Sequence, residues 1–246
     1  MKMKRDTQED NDKEADFRKS GKSAIRVLFI ITAVLLLIVI GVLVWRLVSI
    51  NKMYDEVRDD ASDYSHFREM IEKNPEVVAW LKVKDTEIST VVTQGSDNTK
   101  YLNTNVYGEV SFAGNPFLDY RNDRNFTDRY SIIYGHLAED HLMFGDLKLF
   151  TDPSFWKETR TGTLELRDGT TLHITFFACR KARADDSMYF DPRRVMNNWN
   201  DEFLASMMEN PIVSNDEIKT DDRILVLSTC ESAESDNRIL LFGKLK

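Results

Sequence analysis

Cysteine is scarce in this chain: its 246 residues hold two, Cys179 and Cys230. Small disulfide-stapled domains use many more, so the fold does not rest on bridges, although a Cys179–Cys230 pair stays open on sequence alone. The CxxC and Cys/His spacings of a structural zinc site are missing too. Histidine is rare as well, with four residues: His66, His136, His141 and His173. The body of the chain lacks any long run of Lys and Arg, and the net charge is −8. Phosphate backbones need a basic surface, so nucleic acid is not an expected partner. Neither an internal repeat nor a low-complexity segment appears. What is present is 42% hydrophobic and 30% charged, the balance of a globular core, in a length that suits one domain plus appendages.

The one long apolar run is Val27 to Trp45, 19 uncharged positions with Thr32 as the lone hydroxyl. As a helix rising about 1.5 Å per residue it spans most of a ~30 Å hydrocarbon core. Buried core helices rarely run this long without a polar face. Cleavable signal peptides have a shorter apolar stretch and a small-residue cleavage site, whereas this run ends in Val-Leu-Val-Trp-Arg. An uncleaved signal anchor is the reading. Arg18, Lys19, Lys22 and Arg26 precede the span, and Asp55, Glu56, Asp59 and Asp60 follow it. The positive-inside rule then puts the N-terminus in the cytoplasm and the rest outside the cell membrane. The predicted organisation is a cytoplasmic tail over 1–26, a transmembrane anchor over 27–45, a helical stalk or packing helix over 46–73, and a barrel over 74–246.

Met53, Val57, Tyr64, Phe67 and Ile71 recur at helical spacing, and Asn74-Pro75 ends that pattern. Short strands follow: Trp80–Val83 and Ile88–Val92 around a Lys-Asp-Thr turn, Phe117–Asp119, Ser131–Tyr134, then Thr163–Arg167 and Thr171–Ala178 around Asp168-Gly169, a hairpin signal. Ile224–Ser228 and Arg238–Leu245 close the chain. One helix interrupts them, from Pro192 to about Asn210, with Val195, Trp199, Phe203, Leu204 and Met207 on one face. About eight strands with a few outer helices predict a mainly β fold, a closed or nearly closed barrel.

Three residues stand at strand ends. Cys230 follows the apolar strand Ile224-Leu-Val-Leu-Ser-Thr; a thiolate attacks carbonyls well but needs a base or cation to form near neutrality. Arg238 opens the next strand, a permanent charge able to hold a developing oxyanion. His136 follows Ser131-Ile-Ile-Tyr-Gly135, and imidazole is the usual acid/base near neutral pH. Each alone has an ordinary reading: an inert buried thiol, a solvated strand-end charge. His141 reads as a loop residue. His173 and Cys179, six apart in one predicted strand, are expected on the same face but about 20 Å apart, too far for a dyad. Cys179, beside Phe176, Phe177 and Ala178, reads as packing.

Together these motifs resemble the sortases. Tyr134-Gly-His136 followed by Met143-Phe-Gly-Asp-Leu147 resembles the family's histidine segment, and Leu227-Ser-Thr-Cys230, Arg238 and Phe242-Gly-Lys-Leu245 its Cys–Arg segment. Asn74-Pro-Glu-Val-Val-Ala-Trp80-Leu, Phe117-Leu-Asp-Tyr-Arg-Asn122 and the helix before the cysteine strand are similar to class B, over residues 74–246, about 70% of the chain. The resemblance implies an eight-stranded sortase-type β-barrel with peripheral helices and a cysteine transpeptidase without metal or cofactor. Cys230 would attack the Thr carbonyl of a C-terminal sorting signal, of NPxTx or S/P-PxTG type, to give a thioacyl intermediate. An amine on a peptidoglycan precursor or a pilin would resolve it. His136 would move the protons and Arg238 would stabilise the carbonyl oxygen. Ser228 and Glu231 match groove positions, with Tyr189 as a further wall residue. Rival readings are simple hydrolysis, pilin polymerisation, and an inactive peptide-binding barrel.

Overall fold

The computed structural model describes residues 31–49, 64–111, 113–137, 143–158, 160–230 and 235–246. The chain divides into two compact units, Met1–Met53 and Tyr54–Lys246. In the first, helix α1 (Ile31–Ser49) has 19 residues and a mean hydropathy of 2.7. It is long and apolar enough to cross a membrane. It runs past Trp45, where the expected span stopped, while residues 27–30 lie outside the described residues.

Of the stretch 46–73 read as helical, 50–63 lie outside the described residues; the remainder includes α2 (Tyr64–Lys73). Phe67 and Met70 of α2 are buried against Val77, Trp80, Val91 and Val106, with the Phe67 and Trp80 rings edge-on at 5.8 Å. After α2 come β1 (Val77–Val83), β2 (Ser89–Thr93), β3 (Phe117–Leu118), β4 (Tyr130–Tyr134), β5 (Thr161–Leu166), β6 (Thr171–Arg183), β7 (Val213–Ser214), β8 (Ile224–Cys230) and β9 (Asn237–Leu245). The hydrogen-bonded order is β5-β1-β2-β3-β4-β8-β9-β6, and β5 also pairs with β6. That last pairing closes an eight-stranded barrel, and the two-residue β7 adds to the side of β6. Pairs β2–β3 and β4–β8 are parallel; the others are antiparallel. The Asp168-Gly169 hairpin forms as expected, with Gly169 at φ 88°, a value that glycine adopts without strain.

Side chains alternate between two cores. Leu225, Leu227, Ile133 and Leu241 join the interior cluster with Phe144, Leu147, Phe150 and Trp156, the last from the short helix α3 (Pro153–Glu158). Ile224, Val226, Ile132, Leu240 and Phe242 face outward beneath α4 (Ser187–Phe190), α5 (Pro192–Asn197) and α6 (Asp201–Met207). Burial on both faces is why β8 reads as an unbroken apolar run.

Two expectations need correction. The helix over 192–210 is two helices: Asn198 ends α5, and the Asn200 side chain caps α6 by accepting from the Phe203 N–H at 3.0 Å. Asparagine competes with the helix for backbone donors and so favours caps. Val195, Leu204 and Met207 still share one buried face. Second, His173 and Cys179 do not share a face. The register of β6 against β9 shifts between Phe176 and Ala178; this bulge inverts the alternation. His173 is exposed, whereas Cys179 points into the barrel core as a free thiol.

Candidate active site

The parallel β4–β8 pair sets the site. Tyr134 lies opposite Ser228, and the Gly135 N–H donates to the Ser228 carbonyl at 3.0 Å, so His136 and Cys230 leave the same end of adjacent strands. On the other flank of β8, Cys230 is paired in register with Arg238. The backbone thus brings all three expected catalytic positions to one edge of the barrel.

Gly135 is required there by packing: a Cβ would lie 2.6 Å from the Phe144 ring. The Phe144 N–H donates to the His136 carbonyl at 3.2 Å and pins the backbone from the far side. The His136 Nε2 is 2.8 Å from the Leu102 carbonyl oxygen. A carbonyl only accepts, so Nε2 carries a hydrogen, and Nδ1 is the basic nitrogen of the neutral ring. Leu102 is itself anchored, because the neighbouring Tyr101 is buried and its hydroxyl donates to Glu76 and accepts from Asn74. The Arg238 Nη1 donates to the Ser235 and Asn237 carbonyls, both at 3.2 Å.

A cleft of about 470 Å³ opens at this edge. Leu102, Phe117, Tyr134, Ala184 and Phe190 give it apolar walls, and Asn98, His136, Ser228, Thr229 and Arg238 are its polar lining. That combination suits an extended peptide held by few polar groups. The Ser228 and Thr229 hydroxyls are buried without a hydrogen-bond partner among the described residues; such groups favour a ligand that satisfies them.

Beneath the cleft lies a buried carboxylate, Asp119. Burial pushes its pKa up, but hydrogen bonds from the Arg121 side chain and backbone and from Asn98 outweigh that and hold it below the usual value. Burial, followed by the charge of Asp119, raises the Tyr134 phenol far above its ordinary value, so it remains a neutral donor. Burial likewise lifts the Cys179 thiol to about 12. Cys179 is therefore protonated at neutral pH and unsuited to attack.

Of the expected groove residues, Ser228 lines the cleft. Glu231 and His141 lie outside the described residues. Tyr189 is a correction: it is 2% exposed, packs under the outer helices, and donates its hydroxyl to the Met207 carbonyl at 2.9 Å. The wall residue is its neighbour Phe190. The one-residue error arises because α4 is a single turn, too short for periodicity to orient. Sequence reading also missed Asn98, in a loop, and Leu102, at the end of a three-residue 3-10 helix (Lys100–Leu102) too short to leave a periodic pattern. Tyr134 was legible as a motif residue, and its position opposite Ser228 was not.

No protein-family model matches the chain. Sortase B of Listeria monocytogenes is 32% identical over 193 residues, 77% of this chain and 75% of that protein. The chain belongs to the class B sortases. Sortase B of Staphylococcus aureus is 29% identical over 181 residues, 72% of this sortase and 73% of its relative. Among solved structures, a Streptococcus pyogenes class B sortase involved in pilus biogenesis superposes with a TM-score of 0.69 at 36% identity, over 73% of this chain and 97% of that one. The eight-stranded barrel is thus the sortase barrel, and the enzyme is a cysteine transpeptidase.

Proposed function

We propose that this sortase is anchored by α1, with its N-terminus in the cytoplasm and residues 74–246 as the external catalytic barrel, and that it cleaves a C-terminal sorting signal after threonine. The observation that carries the reading is that the backbone positions of His136, Cys230 and Arg238 lie at neighbouring strand ends beside a peptide-sized cleft. The Cys230 thiolate attacks the Thr carbonyl carbon; a C–S bond forms, the scissile C–N bond breaks, and His136 gives a proton to the departing amine. The acceptor amine then attacks the thioester, His136 removes its proton, and the C–S bond breaks to return the thiolate. Arg238 holds the carbonyl oxygen as charge develops. The unpartnered Ser228 hydroxyl in the cleft meets the peptide, and the resemblance to class B enzymes supports a substrate-binding role for Glu231.

The acceptor is the amine of a peptidoglycan precursor. The likeness to a sortase involved in pilus biogenesis supports a second reading, in which it is a pilin lysine. The test incubates the full chain in detergent with peptides of NPxTx and S/P-PxTG type, with and without an added amine, and reads the products by mass. The expected product is the peptide cut after Thr and capped by the amine, absent with Cys230→Ala. Cleavage that never yields an amine adduct contradicts transfer.

A further inference from the structure

Five donors converge on Asp119, whose side chain is fully buried. Its Oδ1 accepts from the Arg121 backbone N–H at 2.9 Å and from Arg121 Nε at 2.8 Å. Its Oδ2 accepts from Arg121 Nη2 at 2.7 Å, Asn98 Nδ2 at 2.8 Å and the Tyr134 hydroxyl at 3.0 Å. Arg121 in turn donates from Nη2 to the Phe190 carbonyl at 2.7 Å and reaches Asp191 at 3.3 Å. Asn98, Tyr134 and Phe190 are three walls of the cleft, and they come from a loop, the end of β4 and α4.

We propose that Asp119 is the positioning residue of the substrate cleft, one carboxylate that sets the spacing of the Asn98, Tyr134 and Phe190 walls without touching the substrate. The chemistry requires a carboxylate. It is acceptor-only and offers about four lone-pair sites, whereas an amide turns an NH₂ toward the guanidinium and phenol donors. The Tyr134 ring is held from both sides, 5.3 Å from Phe117 and stacked on Phe190 at 6.4 Å, so release of its hydroxyl loosens the floor and the α4 wall together. The side-chain hydrogen bonds of Asp119 go to Asn98, Arg121 and Tyr134 and not to His136 or Arg238, so its loss acts on peptide fit before it acts on chemistry.

The substrate side of this inference rests on the sorting-peptide reading, so the test has two arms. For the full chain in detergent, Asp119→Asn is compared with wild type on a fluorogenic NPxTx-type peptide and by backbone hydrogen exchange. The expected result is a KM raised about tenfold with kcat within about threefold, the scale of one lost charged hydrogen bond. Exchange is expected to quicken together near Asn98, at Tyr134–Gly135 and at Ser187–Phe190, but not in β1 and β5. Arg121→Lys keeps the charge and loses the fork, and should fall between the two. A fall in kcat at unchanged KM, or faster exchange confined to residues 119–121, overturns the proposal. If Asp119→Asn does not fold, Tyr134→Phe decides: a KM raised about threefold supports it and an unchanged KM overturns it. If the wild-type chain cuts no peptide, the reaction reading fails, and the exchange pattern alone decides for or against Asp119.

Discussion

At the scale of single residues, the site depends on which atom faces which. The tie from His136 Nε2 to the Leu102 carbonyl leaves Nδ1 as the basic nitrogen of the neutral ring, so a short 3-10 turn with no legible pattern orients the imidazole proposed for proton transfer. The placement of His136, Cys230 and Arg238 at strand ends could be read from the sequence because each follows, ends or opens a strong strand. Asp119 could be read only as part of a motif, because its donors come from Arg121 two residues on, from Asn98 in a distant loop and from Tyr134 at the end of β4. Its depressed pKa has a consequence for stability. A carboxyl held lower in the folded state than in the unfolded chain stabilises the fold fully above the unfolded value of about 3.9, and that contribution is lost as pH falls through the folded value. Asp119→Asn should therefore unfold at lower denaturant than wild type at pH 7, with the gap narrowing as pH drops below about 4. Urea titrations of both proteins across that range check this; a gap independent of pH would assign the loss to packing instead.

At the scale of elements, strands buried on both faces announced themselves and irregular ones did not. The runs of β8 and β9 and the Asp168-Gly169 hairpin were read nearly to the residue. Strand β6 runs five residues past its expected end, through Arg180-Lys-Ala-Arg183, whose charges hid it. Its bulge also reversed the faces of His173 and Cys179, and nothing in a period-two pattern marks an inserted residue. The break between α5 and α6 was concealed because both halves keep the same apolar face. The Asn200 cap is what separates them, so Asn200→Ala should cost about 1 kcal/mol while leaving kcat/KM for a sorting peptide unchanged. Thermal or urea unfolding with parallel kinetics tests it. No loss of stability would mean that packing, not the cap, divides the helices.

At the scale of the whole molecule, function comes from closure. The parallel pairing of β4 with β8 brings together His136 and Cys230, which are distant in the chain, and β5 closes the barrel by pairing with both β1 and β6. Such pairings are non-local and leave no periodic trace, so the number of strands was legible and their order was not. The three proposed catalytic positions lie at one end of the barrel, and the central question is which thiol works there. The most direct measurement mixes the full chain in detergent with a sorting-signal peptide, quenches with acid, and maps the acyl adduct by peptide mass. The adduct is expected on the peptide containing Cys230 in wild type and in Cys179→Ala, and nowhere in Cys230→Ala. An adduct on Cys179, or one that survives Cys230→Ala, would contradict the assignment.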